Sequence, residues 1–236
     1  MPDPSALSTG FGELDASPTQ RVRVWDLPTR IFHWALALAV VCQIVTGLSG
    51  LMEWHFRSGY LVLSLLLFRL VWGFVGGHWS RFASFLYSPP ALIGYLSGRA
   101  RPEQQVGHTP LGALSVFALL VILAAQVATG LVADDEISAS GPLTRFVSGA
   151  TVSLASAWHA VVGKWIVVAL AALHVLAVAF YALVRHQRLV KPMFSGDKFL
   201  NHPAAPSRDS AGSRLMALVI FGACAGFAYW ISTLRL

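Results

Sequence analysis

The sequence predicts an all-α integral membrane protein: a four-helix bundle followed by a fifth, C-terminal transmembrane helix. Of its 236 residues, 56% are hydrophobic and 12% charged, and its mean hydropathy of +0.63 is too apolar for an ordinary soluble domain. The apolar residues gather in five uninterrupted or nearly uninterrupted runs of about 20 residues, the length that crosses a hydrocarbon core roughly 30 Å thick. The net charge of +6 is spread between those runs, as a membrane-orientation signal is, and forms no soluble basic patch for nucleic acid.

Residues 1–20 are polar, contain Pro2, Pro4 and Pro18, and lack a basic stretch ahead of a short apolar core. They read as a flexible cytoplasmic tail and not as a signal peptide. The core domain is expected over 21–200, with its first span at 31–52, uncharged between Arg30 and Glu53, and its second at 58–76, interrupted only by Arg69. The segment 81–102, with its aromatics, Pro89, Pro90 and flanking arginines, reads as interfacial or as a plain loop. A third span covers 111–133, and the fourth, 165–184, continues a helix that begins near Ala155. A cytoplasmic linker, 201–214, then leads to 215–236, the additional helix and a short outer tail. Cys42 and Cys224 lie in apolar runs with no cysteine nearby, so neither a disulfide framework nor a thiolate site is indicated.

Basic residues alternate with the spans. Arg21, Arg23 and Arg30 precede the first, Arg81, Arg99 and Arg101 follow the second, and Arg185, Arg188, Lys191, Lys198, Arg208 and Arg214 follow the fourth. The opposite side has Arg57, Arg145 and Arg235, so the N-terminus is expected in the cytoplasm and the C-terminus outside. Asp134, Asp135 and Glu136 then face outward.

An internal repeat organises the first four spans. Gln43-Ile44-Val45-Thr46-Gly47-Leu48 matches Gln126-Val127-Ala128-Thr129-Gly130-Leu131, and His55-x-x-x-Gly59 matches His159-x-x-x-Gly163. Two similar hairpins are therefore expected around a central site.

Ionisable residues inside bilayer-length segments are costly and point to function. His159 and His174 are about 22 Å apart along one helix, one near each membrane face. Span direction puts His55 beside His159 at the outer end and His33 beside His174 at the inner end. Two imidazoles from facing helices at one depth suit the two axial positions of a haem iron. Gly47, Gly59, Gly130 and Gly163 offer close approach to a flat macrocycle. Arg57 and Lys164 at the outer level and Arg69 at the inner level are candidates for its propionates, although Arg69 can also be a structural, snorkelling residue. His108 opens the third span on the inner side, where it holds a propionate or replaces His33. His78, His186 and His202 lie in polar or interfacial contexts and are not expected as ligands. Zinc or copper would call for three or four ligands at one depth with carboxylate or thiolate help, which the spacing does not supply.

With these residues in view, the chain resembles the bacterial cytochrome b561 superfamily, in the branch of the b-type cytochrome subunit of nickel-iron hydrogenases. The resemblance rests on Val24-Trp25-Asp26-Leu27-Pro28-Thr29-Arg30-Ile31-Phe32-His33-Trp34 and on the blocks 55–76, 107–112, 126–135 and 189–198. It implies a four-helix bundle with two b haems held by His33, His55, His159 and His174. The interval between His159 and His174, fifteen residues, is one longer than that family's usual spacing. It therefore calls for a widened turn or for ligation just outside a regular helix.

The expected function is electron transfer in the bacterial inner membrane, between an outer-face redox protein (a hydrogenase or a c-type cytochrome) and the quinone pool. That makes the chain an electron-transfer subunit more than a stand-alone oxidoreductase. A superoxide:quinone oxidoreductase of the same superfamily is the main alternative, and would use outer positive charge such as Arg57 and Lys164 to attract its substrate. A haem-free transporter or assembly protein would need the four histidines for other purposes.

Overall fold

The computed structural model describes residues 19–137 and 139–234; most of the expected N-terminal tail, and Arg235, lie outside the described residues. In chain order the elements are β1 (Gln20–Arg23), α1 (Leu27–Leu48), α2 (Met52–Val75), a short α3 (Pro89–Leu96), α4 (Pro110–Gly130), α5 (Gly149–Ala157), a π-helical turn (Trp158–Gly163), α6 (Lys164–Leu183), a short α7 (Val190–Ser195), β2 (Asp197–Leu200) and α8 (Ala211–Thr233). The π-helical turn joins α5 and α6 into one run, Gly149–Leu183. Five helical runs among the described residues are long and apolar enough to cross a membrane.

Local chemistry sets the helix ends. Asp26 caps α1 by accepting from the Thr29 backbone N–H at 2.8 Å, which starts the helix ahead of the apolar run at 31. It ends before Gly50, whose φ of +67° suits a residue without a Cβ. Thr109, Ser148 and Ser210 cap α4, α5 and α8 in the same way.

α2 is the hub, touching α1, α4 and α8. Its Val62, Leu65, Phe68 and Trp72 form one buried cluster with Phe32 and Ala39 of α1 and Ala217 of α8. Phe221 meets Phe68 edge-on at 6.2 Å. The fifth span thus covers the flank of α2 and belongs to the bundle core. α4 packs on α6 and on the π-helical turn. Away from these contacts, rows of exposed apolar side chains such as Leu38, Val121, Leu173 and Leu218 are what a bilayer requires of a helix surface.

One end of the bundle, here the cap end, is closed by a small structured layer. β1 pairs antiparallel with β2, Gln20 opposite Leu200 and Arg23 opposite Asp197, so the end of the expected tail is a strand. Val22, Val24, Trp25, Val106 and Leu200 form a second buried cluster there. The expected linker is held as well: Ser207 donates to Val24 O at 2.7 Å, and Asp209 accepts from Arg23 Nη1 at 2.7 Å and from Arg214 Nε at 2.9 Å. Strands of four residues whose partners lie most of a chain away leave little periodic signal. The segment after α2 combines short 3₁₀ turns with α3, and Tyr95 of α3 meets Tyr181 of α6, hydroxyl to hydroxyl, at 3.1 Å. The opposite end, the loop end, carries the connection from α4 to α5.

Candidate functional site

The bundle brings the four histidines together in two pairs. The His55 and His159 ring centres are 6.0 Å apart at the loop end, and those of His33 and His174 are 6.4 Å apart toward the cap end. Two metal–imidazole bonds of about 2 Å plus two ring radii put opposed axial imidazoles roughly 6 Å centre to centre. The residues present therefore fit a six-coordinate haem iron at either level.

At the loop end, hydrogen bonds define the rings. His159 Nδ1 lies 2.8 Å from the backbone carbonyl of Gln126, which can only accept, so Nδ1 carries the proton and Nε2 the lone pair. His55 Nδ1 faces Thr46 Oγ1 at 3.3 Å, and that hydroxyl donates its own proton to Cys42 O at 2.6 Å. The same tautomer follows, with Nε2 again left as the nitrogen able to bind a metal. These protonation states come from the bonding network.

The matched hairpins share a further bond. Gln43 Nε2 donates to His55 O at 2.6 Å and Gln126 Nε2 donates to His159 O at 2.8 Å, so the repeated glutamine clamps the helix carrying the next histidine. The glycines make room for these groups. A Cβ at Gly47 would stand 3.1 Å from His55 Cε1, and one at Gly130 would come within 2.7 Å of His159 Cε1. Gly59 faces the Gln43 amide and Gly163 the Gln126 amide. Their immediate neighbours are thus a histidine ring or a glutamine side chain, beyond the close approach to a macrocycle that spacing suggested.

Between the clamps is a cavity of about 310 Å³, lined among others by Gly47, His55, Gly59, Leu123, Gly130, His159, Lys164 and Val167. Lys164 is on its wall as expected. Arg57 is not: it pairs with Glu53 at 2.5 Å on the exposed surface and lies over Trp54. Asp134 and Asp135 also line the cavity, and Asp134 N–H is fixed by Ser156 Oγ at 2.9 Å.

Toward the cap end the bonding is sparser. His174 Nδ1 is 3.5 Å from Ser115 Oγ, while His33 Nδ1, His108 Nδ1 and Arg69 Nη1 are buried with no hydrogen-bond partner. Arg69, only 3% exposed, stacks its guanidinium over Phe82 at 4.6 Å. His108 sits between Trp25 and Phe85, with ring centres at 4.7 and 4.4 Å. Burial, then the charges of Arg69 and Lys198 and the nearby His33 and His174, hold the His108 imidazole down at about 3. Burial likewise pulls the Lys198 ammonium down to about 8, although it donates to Gln105 O at 2.7 Å and Val106 O at 3.0 Å. A buried donor left unmet costs about 1–3 kcal/mol, so the unpartnered Arg69 Nη1 suits an acceptor oxygen such as that of a haem propionate.

The π-helical turn, Trp158–Gly163, contains His159. Fifteen α-helical residues would turn the two α5–α6 histidines about 60° apart; one residue absorbed in a wider turn brings them back to about 40° on the other side. Of the two ways expected to absorb the extra residue, the widened turn is the one present.

Sequence reasoning did not assign Gln43, Gln126, Thr46 or Asp26 a role at the site, although the repeated QxxTGL carried three of them. Asp26 is fully buried. Its carboxylate accepts from Thr29 N, Trp72 Nε1, Gly77 N and Ser80 Oγ, which ties the start of α1 to the end of α2 beneath the cap-end histidines.

A mostly helical, multi-pass membrane protein that opposes imidazoles in pairs between its helices has the architecture of a membrane b-type cytochrome. The chain belongs to the prokaryotic cytochrome b561 family, whose family model matches residues 24–196. Among its curated relatives is the probable Ni/Fe-hydrogenase B-type cytochrome subunit of Azotobacter chroococcum mcd 1, 28% identical over 81% of this chain and 94% of the relative. The protein of that name in Cupriavidus necator is 27% identical over 73% and 85%. The probable Ni/Fe-hydrogenase 1 B-type cytochrome subunit of Escherichia coli K12 is 24% identical over 73% and 88%. No solved structure matches the chain.

Proposed function

We propose that the chain is the membrane b-type cytochrome subunit of a hydrogenase-type complex, carrying electrons between a redox protein at the loop end and the quinone pool. In this reading His55 and His159 hold one haem b and His33 and His174 a second. The observation that carries it is the pair of imidazole separations, 6.0 and 6.4 Å, at two depths of one bundle. Haem supplies one-electron redox chemistry when bound. The chain's own residues fix the ring tautomers through Gln126 O and Thr46 Oγ1, and in this reading Lys164 would meet the propionates of a loop-end haem, and Arg69 and His108 those of a cap-end one.

The cap end belongs in the cytoplasm of a bacterial inner membrane, because Arg21, Arg23, Arg30, Arg81, Arg99, Arg101, Arg185, Arg188, Lys191 and Lys198 gather there. The loop end, with its acids, then faces the periplasm and the hydrogenase. Superoxide chemistry is less well supported: Arg57 is engaged by Glu53, and Asp134 and Asp135 border the cavity, which opposes steering of an anion.

The test is a reduced-minus-oxidised spectrum of purified protein with haem quantified per chain, repeated with each histidine replaced by alanine. Two b haems are expected, with His55→Ala and His159→Ala removing one and His33→Ala and His174→Ala the other. A chain without b haem, or loss of the same haem by His33→Ala and His55→Ala, would overturn the reading. Quinone reduction that requires added hydrogenase supports the partner; reduction driven by superoxide alone refutes it.

A further inference from the structure

Gln126 grips His159 twice. Its side-chain Nε2 donates to the His159 carbonyl and its backbone carbonyl accepts from His159 Nδ1, both at 2.8 Å. The first bond enters the helix within the π-helical turn, where the backbone ladder is locally reset and a side chain can insert.

Gly163 gives the glutamine its seat. A Cβ there would overlap Gln126 Oε1 and come within 2.7 Å of Trp158 Nε1. These two atoms are a buried acceptor and a buried donor, each without a hydrogen-bond partner, facing the space that a residue without a side chain leaves free. In the second hairpin the glycine of HxxxG thus leaves the room that the glutamine of QxxTGL occupies.

The first hairpin repeats only part of this arrangement. Gln43 Nε2 donates to His55 O at 2.6 Å, but the His55 ring is turned by Thr46 Oγ1 at 3.3 Å. A Cβ at Gly59 would meet Gln43 Nε2 at 3.4 Å, an ordinary contact.

We propose that the Gln126 side chain, seated against Gly163, is the positioning group of the loop-end site: by bonding the His159 carbonyl it holds the widened turn that offsets the extra residue before His174, and so keeps the His159 Nδ1–H aligned on the backbone carbonyl of residue 126. The proposal rests on the haem reading above. An Nδ1–H bond to a backbone carbonyl makes imidazole a more basic ligand and favours the oxidised metal. Disturbing the grip therefore raises the potential of the loop-end haem and leaves the cap-end haem alone.

The experiment is redox titration and low-temperature EPR of the haem-loaded full chain in nanodiscs, with the loop-end signals assigned by their loss in His159→Ala. Gln126→Met preserves bulk and removes the amide. It is expected to raise the loop-end midpoint by about 59 mV, a tenfold change in the reduced-to-oxidised ratio at fixed potential for one electron, and to move that haem's low-spin EPR signal. Gly163→Ala should act in the same direction, and the effects of Gln126→Ala and Gly163→Ala should be less than additive, because truncating the glutamine removes the Oε1 overlap and leaves only the contact with Trp158. Unmoved loop-end signals in Gln126→Met, or a shift shared equally by both haems, would overturn the proposal. If Gln126→Met yields no loaded protein, the alanine series decides: strict additivity of the two substitutions refutes the seat. A wild-type chain with no b haem defeats the haem reading itself, whereas two wild-type haems indifferent to Gln126 defeat only this inference.

Discussion

Gly130 lies against the His159 imidazole more tightly than Gly47 lies against that of His55: an added Cβ would come within 2.7 Å of Cε1 in the first case and 3.1 Å in the second. The His159 ring cannot easily retreat, because a backbone carbonyl holds its Nδ1 at 2.8 Å, while His55 leans on a hydroxyl at 3.3 Å. Gly130→Ala is therefore expected to empty the loop-end site, and Gly47→Ala to leave most of it filled. Haem per chain measured by the pyridine haemochrome assay checks this, and the reverse ranking would refute it.

Asp26 gathers four donors on two oxygens in a fully buried position. Asp26→Asn keeps the size but turns an amide N–H₂ toward the donors of one oxygen, either Thr29 N–H and Trp72 Nε1–H or Gly77 N–H and the Ser80 hydroxyl. Each donor left unmet costs about 1–3 kcal/mol. A marked fall in thermal stability is expected, with Ser80→Ala milder because it removes one donor from the carboxylate and leaves only the Thr29 hydroxyl to find a new partner. Equal stability of Asp26→Asn and wild type would show that the node is dispensable.

Asp209 fastens the start of α8 to β1 and α1 through Arg23, Arg214 and the Leu27 N–H. Burial pushes its carboxyl up, but the bonds from Arg214 and Leu27 and the charges of Arg214 and Arg23 outweigh that and hold it below the usual carboxylate range. The clasp is thus intact above the unfolded carboxylate pKa and weakens as pH falls through the lower folded value. Asp209→Ala should cost about 1–3 kcal/mol and speed proteolysis within 201–210. Unchanged cleavage kinetics would count against the clasp.

His108, held at about 3, stays neutral in the folded chain where an unfolded chain binds a proton below about 6.5. The unfolded state then binds more protons between these values, so stability is full above pH 6.5 and declines toward pH 3, by up to about 1.4 kcal/mol per unit. His108→Gln should flatten that share of the acid limb in thermal melts across the window. A variant curve parallel to wild type would show that the imidazole does not carry it.

Much of the architecture was legible because bilayer crossing is a one-dimensional constraint. Arg30, Glu53 and Arg69 bracket or interrupt apolar runs, and the basic connections alternate with them. The helix ends were less legible: α1 begins at Leu27 because Asp26 caps it, and that side chain also serves Trp72, Gly77 and Ser80. The β1–β2 ribbon left no signal, since Val22 and Lys198 become neighbours only after all the intervening helices pack. Histidine depth followed from rise per residue, but whether two rings at one depth meet depends on helix rotation. Spacing supplies no neighbour for Gly59 or Gly163; the glutamine amides reach them only across a packed interface.

The sequence by itself determined the membrane class, the five spans, the hairpin repeat and the histidines that share a level, because hydropathy and helical rise are properties of each segment alone. Tertiary structure alone decided that α8 joins the core against α2, that Arg57 turns to Glu53 and away from the cavity, and that Gln126 holds both the backbone and the ring of His159. The reason is physical: side-chain direction and hydrogen-bond partnership depend on helix rotation and on one widened turn, and both are set by packing between segments that sequence spacing does not connect.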